Sequence, residues 1–428
     1  MGGRGGFSAL EYRDPSPAPW LILALGVINR WVILPGLLRL RRFDLPVADR
    51  DRLAAAIRPD TAAFLGPNHP EFLTDWMVDK EVSRRVSPLM AHWASYEIVN
   101  ASPLVRAFWL ANNLIANVPG GGGKAYSVDW ALRGHGVLLH PEGTATWQGE
   151  RVSAMLPGIV DMAWEAATQL RASGDDRRVW LVPVAWRFTF LGDARRGLAR
   201  ELGVLERGLS LPRGDRLAVP ERFAALMRRL LARQCERLGL APPRVGDRDD
   251  YFAAQAAAVE ELRGGLSARY GELDEDFTRA QFQLRKAMRE RAGEDAEGVR
   301  RDRARLAELT RLVGFDPALY DRSELEQERI AEVLKRTRSS LLTRGLANAI
   351  ANTLPIGVGP RVVHVRTAEP IAVRAPAGSE PAEDPVAARA AFLQEHRARL
   401  QELVERLGAE TAGWVARFRL PNALHRHT

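Results

Sequence analysis

Hydrophobic positions divide the chain into zones of different period. Residues 20–40 read WLILALGVINRWVILPGLLRL, almost continuously apolar but interrupted at Asn29-Arg30 and Pro35-Gly36. An unpaired arginine in mid-bilayer costs a few kcal/mol. With Trp20 and Trp31 as anchors and Arg39, Arg41 and Arg42 following, the pattern predicts two short helices lying in a membrane surface. An amphipathic helix pair packed on the protein itself is the alternative. From 60 to 190, short apolar runs (62–66, 114–118, 136–140 and 179–188) alternate with helical periods (71–85, 103–112, 127–133 and 156–172). That alternation predicts an α/β domain with a central, mostly parallel to mixed sheet flanked by helices. From 196 to 345 leucines recur three or four apart among many charges, predicting helices over 220–238, 250–291, 299–313 and 324–351. The long 250–291 helix is expected to fold back, coiled-coil-like, on its successor. A strand returns at 361–366, followed by Glu369-Pro370-Ile371 and a linker at 375–383. Asp384-Pro385 then caps a final amphipathic helix reaching about 407.

The domain reading follows from these zones. It has membrane-associating helices (1–45), an α/β core (46–195), an all-helical insertion (196–345), a return strand of the core (346–375) and a C-terminal helix and tail (384–428). A chain of 428 residues exceeds the roughly 100–200 of one ordinary domain, and the insertion accounts for most of the excess.

Composition narrows the picture only a little. The formal charge is +8, yet all but four of the 61 basic residues are arginine and 53 acidic residues accompany them. Nucleic-acid binding is therefore not expected. A single cysteine, Cys235, excludes an intramolecular disulfide and a multi-thiolate zinc site; it reads as a buried thiol. A reducing, cytoplasm-facing setting is the simplest fit.

Two segments carry chemistry. Asn68-His69-Pro70-Glu71-Phe72-Leu73-Thr74-Asp75 follows the first strand. A carboxylate there can fix the tautomer of His69 while the other ring nitrogen takes a proton. Asp75 is the first candidate partner and Glu71 the second. His140-Pro141-Glu142-Gly143-Thr144 follows the strand at 136–140. Gly143 permits a tight backbone there, and Thr144 with nearby N–H groups can bind an anion. The glycines at 120–123 before Lys124 lack the first glycine and the hydroxyl residue of a phosphate-binding P-loop.

In order and spacing these segments resemble the glycerolipid acyltransferase family of lysophosphatidic acid and glycerol-3-phosphate acyltransferases. That family carries an N-H-four residues-D block, a block around a strand, an E-G-T block and an apolar strand containing proline. They correspond to 68–75, 115–124, 141–144 and 179–186 with Pro183, and the closing strand to 362–371. The resemblance covers about 20–195 and 355–375.

The resemblance implies a fold, a reaction and a place. His69 would be the general base and Asp75 its orienting carboxylate; Glu142, Gly143 and Thr144 would shape the acceptor site. The acyl group would come from acyl-CoA or acyl-carrier protein as co-substrate, with no cofactor or metal. The acceptor would be a hydroxyl of a lyso-lipid, and the setting the cytoplasmic face of the cell membrane, against anionic lipid. Three positions depart from the family pattern. Five residues, not four, separate His69 from Asp75; Val118-Pro119 leads into glycines where an arginine is usual; and Ala145 stands after E-G-T. Lys124 and Arg151 are candidate replacements for the phosphate-binding arginines, and a different lyso-lipid or amphipathic alcohol is the alternative acceptor. The competing reading is a catalytically altered lipid-binding or scaffolding protein whose helical insertion binds a protein partner or self-associates.

Overall fold

The structure, a computed structural model, describes residues 11–244, 248–345, 348, 358–374 and 384–424. The expected linker at 375–383, residues 1–10, the tail beyond 424 and the end of the helix expected at 324–351 lie outside the described residues, or nearly so. By internal contacts the chain divides into two compact units. One holds Met1–Ala145, Gly149–Phe188 and Val362–Glu410, the other Thr146–Gln148, Thr189–Arg361 and Thr411–Thr428.

The first unit begins with α1 (Pro19–Ile28), which runs directly into π-helical turns over Asn29–Leu37. The expected pair of separate helices is thus one continuous helical stretch, and its polar interruptions are anchors. Buried Asn29 donates Nδ2–H to the Met77 carbonyl at 2.8 Å, and Arg30 lies 3.7 Å from the Glu81 carboxylate. Next come β1 (Leu40–Asp44), α2 (Val47–Ala56), β2 (Thr61–Pro67), α3 (Phe72–Val86) and β3 (Ala91–Ser95). They are followed by α4 (Tyr96–Val99), α5 (Pro103–Ala111), β4 (Leu114–Asn117), α6 (Gly123–Leu132), β5 (Val137–Leu138), α7 (Gly158–Ala172) and β6 (Arg178–Phe190).

The second unit contains α8 (Arg195–Gly208), α9 (Val219–Leu238), α10 (Arg248–Tyr270), α11 (Phe277–Arg291), α12 (Ala296–Val313), α13 (Pro317–Tyr320) and α14 (Gln327–Leu341), with a short strand β7 (Glu324–Leu325). The helix expected over 250–291 is two helices. Gly271 sits at φ +89°, a left-handed conformation that ends α10 cheaply only at glycine. Leu262, Leu266 and Leu284 still reach the core of this unit, together with Leu198, Leu202, Phe223, Leu231 and the buried thiol of Cys235. The chain then returns through β8 (Arg361–Thr367), β9 (Ile371–Val373) and α15 (Pro385–Ala416), and ends its described part with β10 (Leu420–Pro421), antiparallel to β7. Asp384 does cap α15, its carboxylate accepting the Val386 N–H at 2.9 Å.

The fold is α/β. Its eight-stranded mixed sheet has the order β1-β8-β6-β2-β5-β3-β4, with β9 antiparallel to β6. The pairs β2–β5, β2–β6, β3–β4 and β3–β5 are all parallel. Central β2 is buried along its whole length, as an uninterrupted apolar strand between two helical layers should be. Ala62 and Phe64 join the core beneath α6 and α7, while Ala63 and Leu65 join the core beneath the π-turns, α2 and α3. The strands β1 and β3 and the helices α2, α4 and α8 have no counterpart in the pattern reading. The segment Leu40–Asp44 has only two apolar residues and lies at the edge of the sheet, so it carries no buried run to recognise.

Candidate active site

Three neighbouring strands deliver the site. Ligands of parallel sheets collect beyond the carboxyl ends of the strands, and there β2 runs into Asn68 and His69 and β5 into His140 and Glu142. Along β6 stands Trp186. The Asn68 side chain acts as one more peptide unit: its Nδ2–H donates to the Trp186 carbonyl at 3.0 Å, and its Oδ1 accepts the Trp186 N–H at 2.9 Å. Pairing with β6 thus continues through a side chain while the main chain turns away to present His69.

The extra residue between His69 and Asp75 does not separate them. Glu71 is extended (φ −135°, ψ 152°) and α3 begins immediately after it, so Asp75 falls in the first turn, pointing back toward the loop. His69 Nδ1 and Asp75 Oδ2 are 2.8 Å apart. Glu71 enters through its backbone, whose N–H donates to the same Oδ2 at 2.7 Å, and the Trp186 indole donates Nε1–H to Oδ1 at 3.0 Å. Asp75 is 0% exposed and His69 15%. Burial, with His140 next to it, holds the imidazole well below its ordinary range, so the ring is neutral near pH 7. Burial and the Glu71 charge push the Asp75 carboxyl up, against the pull of the Glu71 N–H and the Trp186 indole. As the acceptor of the Nδ1 proton, Asp75 leaves the lone pair on Nε2, the form a general base requires.

Glu142 is fully buried and faces the main chain. Its Oε1 accepts the His69 N–H at 2.8 Å and its Oε2 the Ser153 N–H at 2.9 Å. It holds the loop that carries His69, and burial raises its carboxyl despite those two donors. Gly143 lies at φ +67° in the tight turn after it and is exposed; Thr144 is half-buried. Lys124, at the start of α6, makes an ion pair with Asp161 of α7 at 2.9 Å, and Arg151 is exposed in the loop before Ser153. The structure therefore brings His69, Asp75 and Glu142 into one bonded group, while Lys124 is committed elsewhere.

A second pair stacks against His69. The His140 ring stacks on the His69 ring with centroids 4.2 Å apart and planes inclined by 23°. His140 Nδ1 is 2.9 Å from the Asn68 carbonyl oxygen, and its Nε2 is 3.1 Å from Asp79 Oδ2. Burial raises the Asp79 carboxyl and lowers Lys80 to about 7; Lys80 donates Nζ–H to the Asn112 carbonyl at 3.0 Å. The roles of Asn68, Trp186, Asp79 and Ser153 are not apparent from the sequence. The one available signal was the four-residue step from Asp75 to Asp79, which puts both carboxylates on one face of α3. No protein-family model matches the chain, and no curated protein matches it significantly.

Proposed function

We propose that this protein is an O-acyltransferase of the glycerolipid type, working at a membrane surface. The observation that carries the reading is the His69–Asp75 pair, 2.8 Å apart at the carboxyl end of central β2, with the carboxylate buried and held by two further N–H donors. In this reading His69 Nε2 takes the proton of an acceptor hydroxyl as its oxygen attacks the carbonyl carbon of an acyl thioester. The C–S bond breaks, and the departing thiolate receives the proton from His69. Asp75 keeps the ring oriented and compensates its positive charge during the transfer. Glu142 is a positioning residue for His69. Gly143, Thr144 and Arg151 lie in the neighbouring loop and are the proposed contacts of the acceptor, a lyso-lipid or amphipathic alcohol; the donor is acyl-CoA or acyl-carrier protein.

The membrane assignment rests on the first helical stretch, Pro19–Leu37, which is long and apolar enough by composition to cross a bilayer. Ile22, Gly26, Asn29 and Leu34 are buried, whereas Trp20 (73% exposed), Leu23, Val27, Trp31 (71%) and Val32 form an open apolar strip. One face held on protein and one offered outward support a helix lying in the lipid surface; the cytoplasmic side is the one proposed.

The test is thioester-dependent acylation of a panel of lyso-lipids and long-chain alcohols by the purified chain on anionic vesicles. His69→Ala is expected to lower turnover by about 10³-fold or more. Wild-type protein that binds the vesicles and acylates nothing in the panel overturns the reading.

A further inference from the structure

His140 makes two hydrogen bonds, one from each ring nitrogen, and the chemistry of its partners restricts where its protons lie. The Asn68 carbonyl can only accept, so Nδ1 carries a hydrogen. The 3.1 Å contact of Nε2 with Asp79 Oδ2 then needs one further proton, on the ring or on the carboxyl. The surrounding charges decide between these. Facing His140 are Asp79 and Lys80 from α3, Glu142 from its own segment, His69 stacked on its face with Asp75 behind, and His92 of β3. Trp186 of β6 meets the ring edge-on, with centroids 5.5 Å apart. Three carboxylates stand against one lysine. Two of them have donor sets of their own, Asp75 from Glu71 and Trp186, Glu142 from two backbone N–H groups. His92, buried and held far below its ordinary range, adds no positive charge.

We propose that His140 donates from both ring nitrogens, to Asn68 and to an ionised Asp79, so that a positively charged ring stacks on His69 and keeps it unprotonated. His140 and Asp79 are on this account positioning residues that set how readily His69 takes a proton, an inference resting on the role of His69 as the base. A cation 4.2 Å from the His69 ring makes a second charge there costly. The site therefore holds His69 ready for a hydroxyl proton even in mildly acidic surroundings. Burial acts in the same direction, and the charged neighbour adds to it.

The experiment is ¹⁵N NMR of the histidine-labelled full chain, with His69 and His140 assigned by single substitution, alongside the pH profile of acyl transfer. In the unsubstituted protein at pH 7.5 both His140 nitrogens are expected to be protonated and His69 to carry one proton. In Asp79→Asn, where the amide donates to Nε2 and leaves His140 neutral, the His69 midpoint is expected to rise by about one pH unit or more. His140→Phe, which keeps a ring against His69, is expected to do the same. The acidic limb of kcat/KM should move up with the midpoint. A His140 ring with a single protonated nitrogen in the unsubstituted chain overturns the inference, as does a His69 midpoint unchanged in both folded variants. The NMR result is independent of turnover. Doubly protonated His140 in a chain that acylates nothing upholds this inference and removes the function, whereas active enzyme with an unmoved His69 does the reverse.

Discussion

The carboxylate of Asp75 accepts three N–H groups, from Glu71, Trp186 and His69, whereas that of Asp79 accepts from His140 alone, and its Oδ1 has no hydrogen-bond partner among the described residues. The two pairs share one helix, one stack of rings and the same depth, yet they hold charge differently. Besides His69, Asp75 is held by two donors that never titrate, the Glu71 N–H and the Trp186 indole. Asp79 has only the His140 ring as a hydrogen-bond partner, aided by the charge on Lys80. A carboxylate fixed by main chain and indole suits a group that must orient the base in every turnover. One held by a single ring suits a group that acts on the base through that ring.

The comparison is broken most directly by matched substitutions. Asp75→Asn is expected to lower turnover by about 10²–10³-fold at every pH, because the amide can turn its N–H₂ toward His69 and favour the wrong tautomer. Asp79→Asn should cost about tenfold or less at pH 8, with the deficit growing as pH falls. Equal, pH-independent losses in steady-state assays would abolish the distinction. Glu142→Gln sharpens it from the other side, by loosening only the loop of His69. An amide cannot accept from both backbone N–H groups, and one left facing a donor costs about 1–3 kcal/mol, read as a lower midpoint in urea.

His69 follows the end of β2, where the Gly66 carbonyl accepts Nε2–H of fully buried His396 at 3.0 Å. Burial lowers His396 from 6.5 to about 4. An unfolded chain binds this proton where the folded one does not. The contribution is thus complete above pH 6.5 and is lost as pH falls toward 4, about 3 kcal/mol in all. His396→Gln should flatten that part of the stability-against-pH curve, measured by urea unfolding, and leave both dyads' relative behaviour intact. The smallest effect belongs to the surface. Trp31→Ala is expected to weaken binding to anionic vesicles several-fold while leaving thermal unfolding and both pairs unchanged.

The α/β class and the closeness of His69 to Asp75 were legible, and most of what supports that pair was not. The alternation of strands and helices, the candidate base His69 and its carboxylate are local in sequence, within reach of one turn of backbone. Trp186 is remote: its bonds to Asn68 and Asp75 span 118 and 111 positions, and only the parallel register of β2 with β6 brings them together. Glu142 has the spacing of a substrate-facing residue, yet its carboxylate turns inward, where it accepts two backbone N–H groups of half-buried loops. The break at Gly271 lost to the leucine period on either side of it. The edge strand Leu40–Asp44 lay hidden in arginines.

The hydrogen bond from His396 to Gly66 also orders events in time. The strand that leads into His69 is completed by a residue 330 positions later. A ribosome therefore exposes the whole His69 loop long before its last support exists.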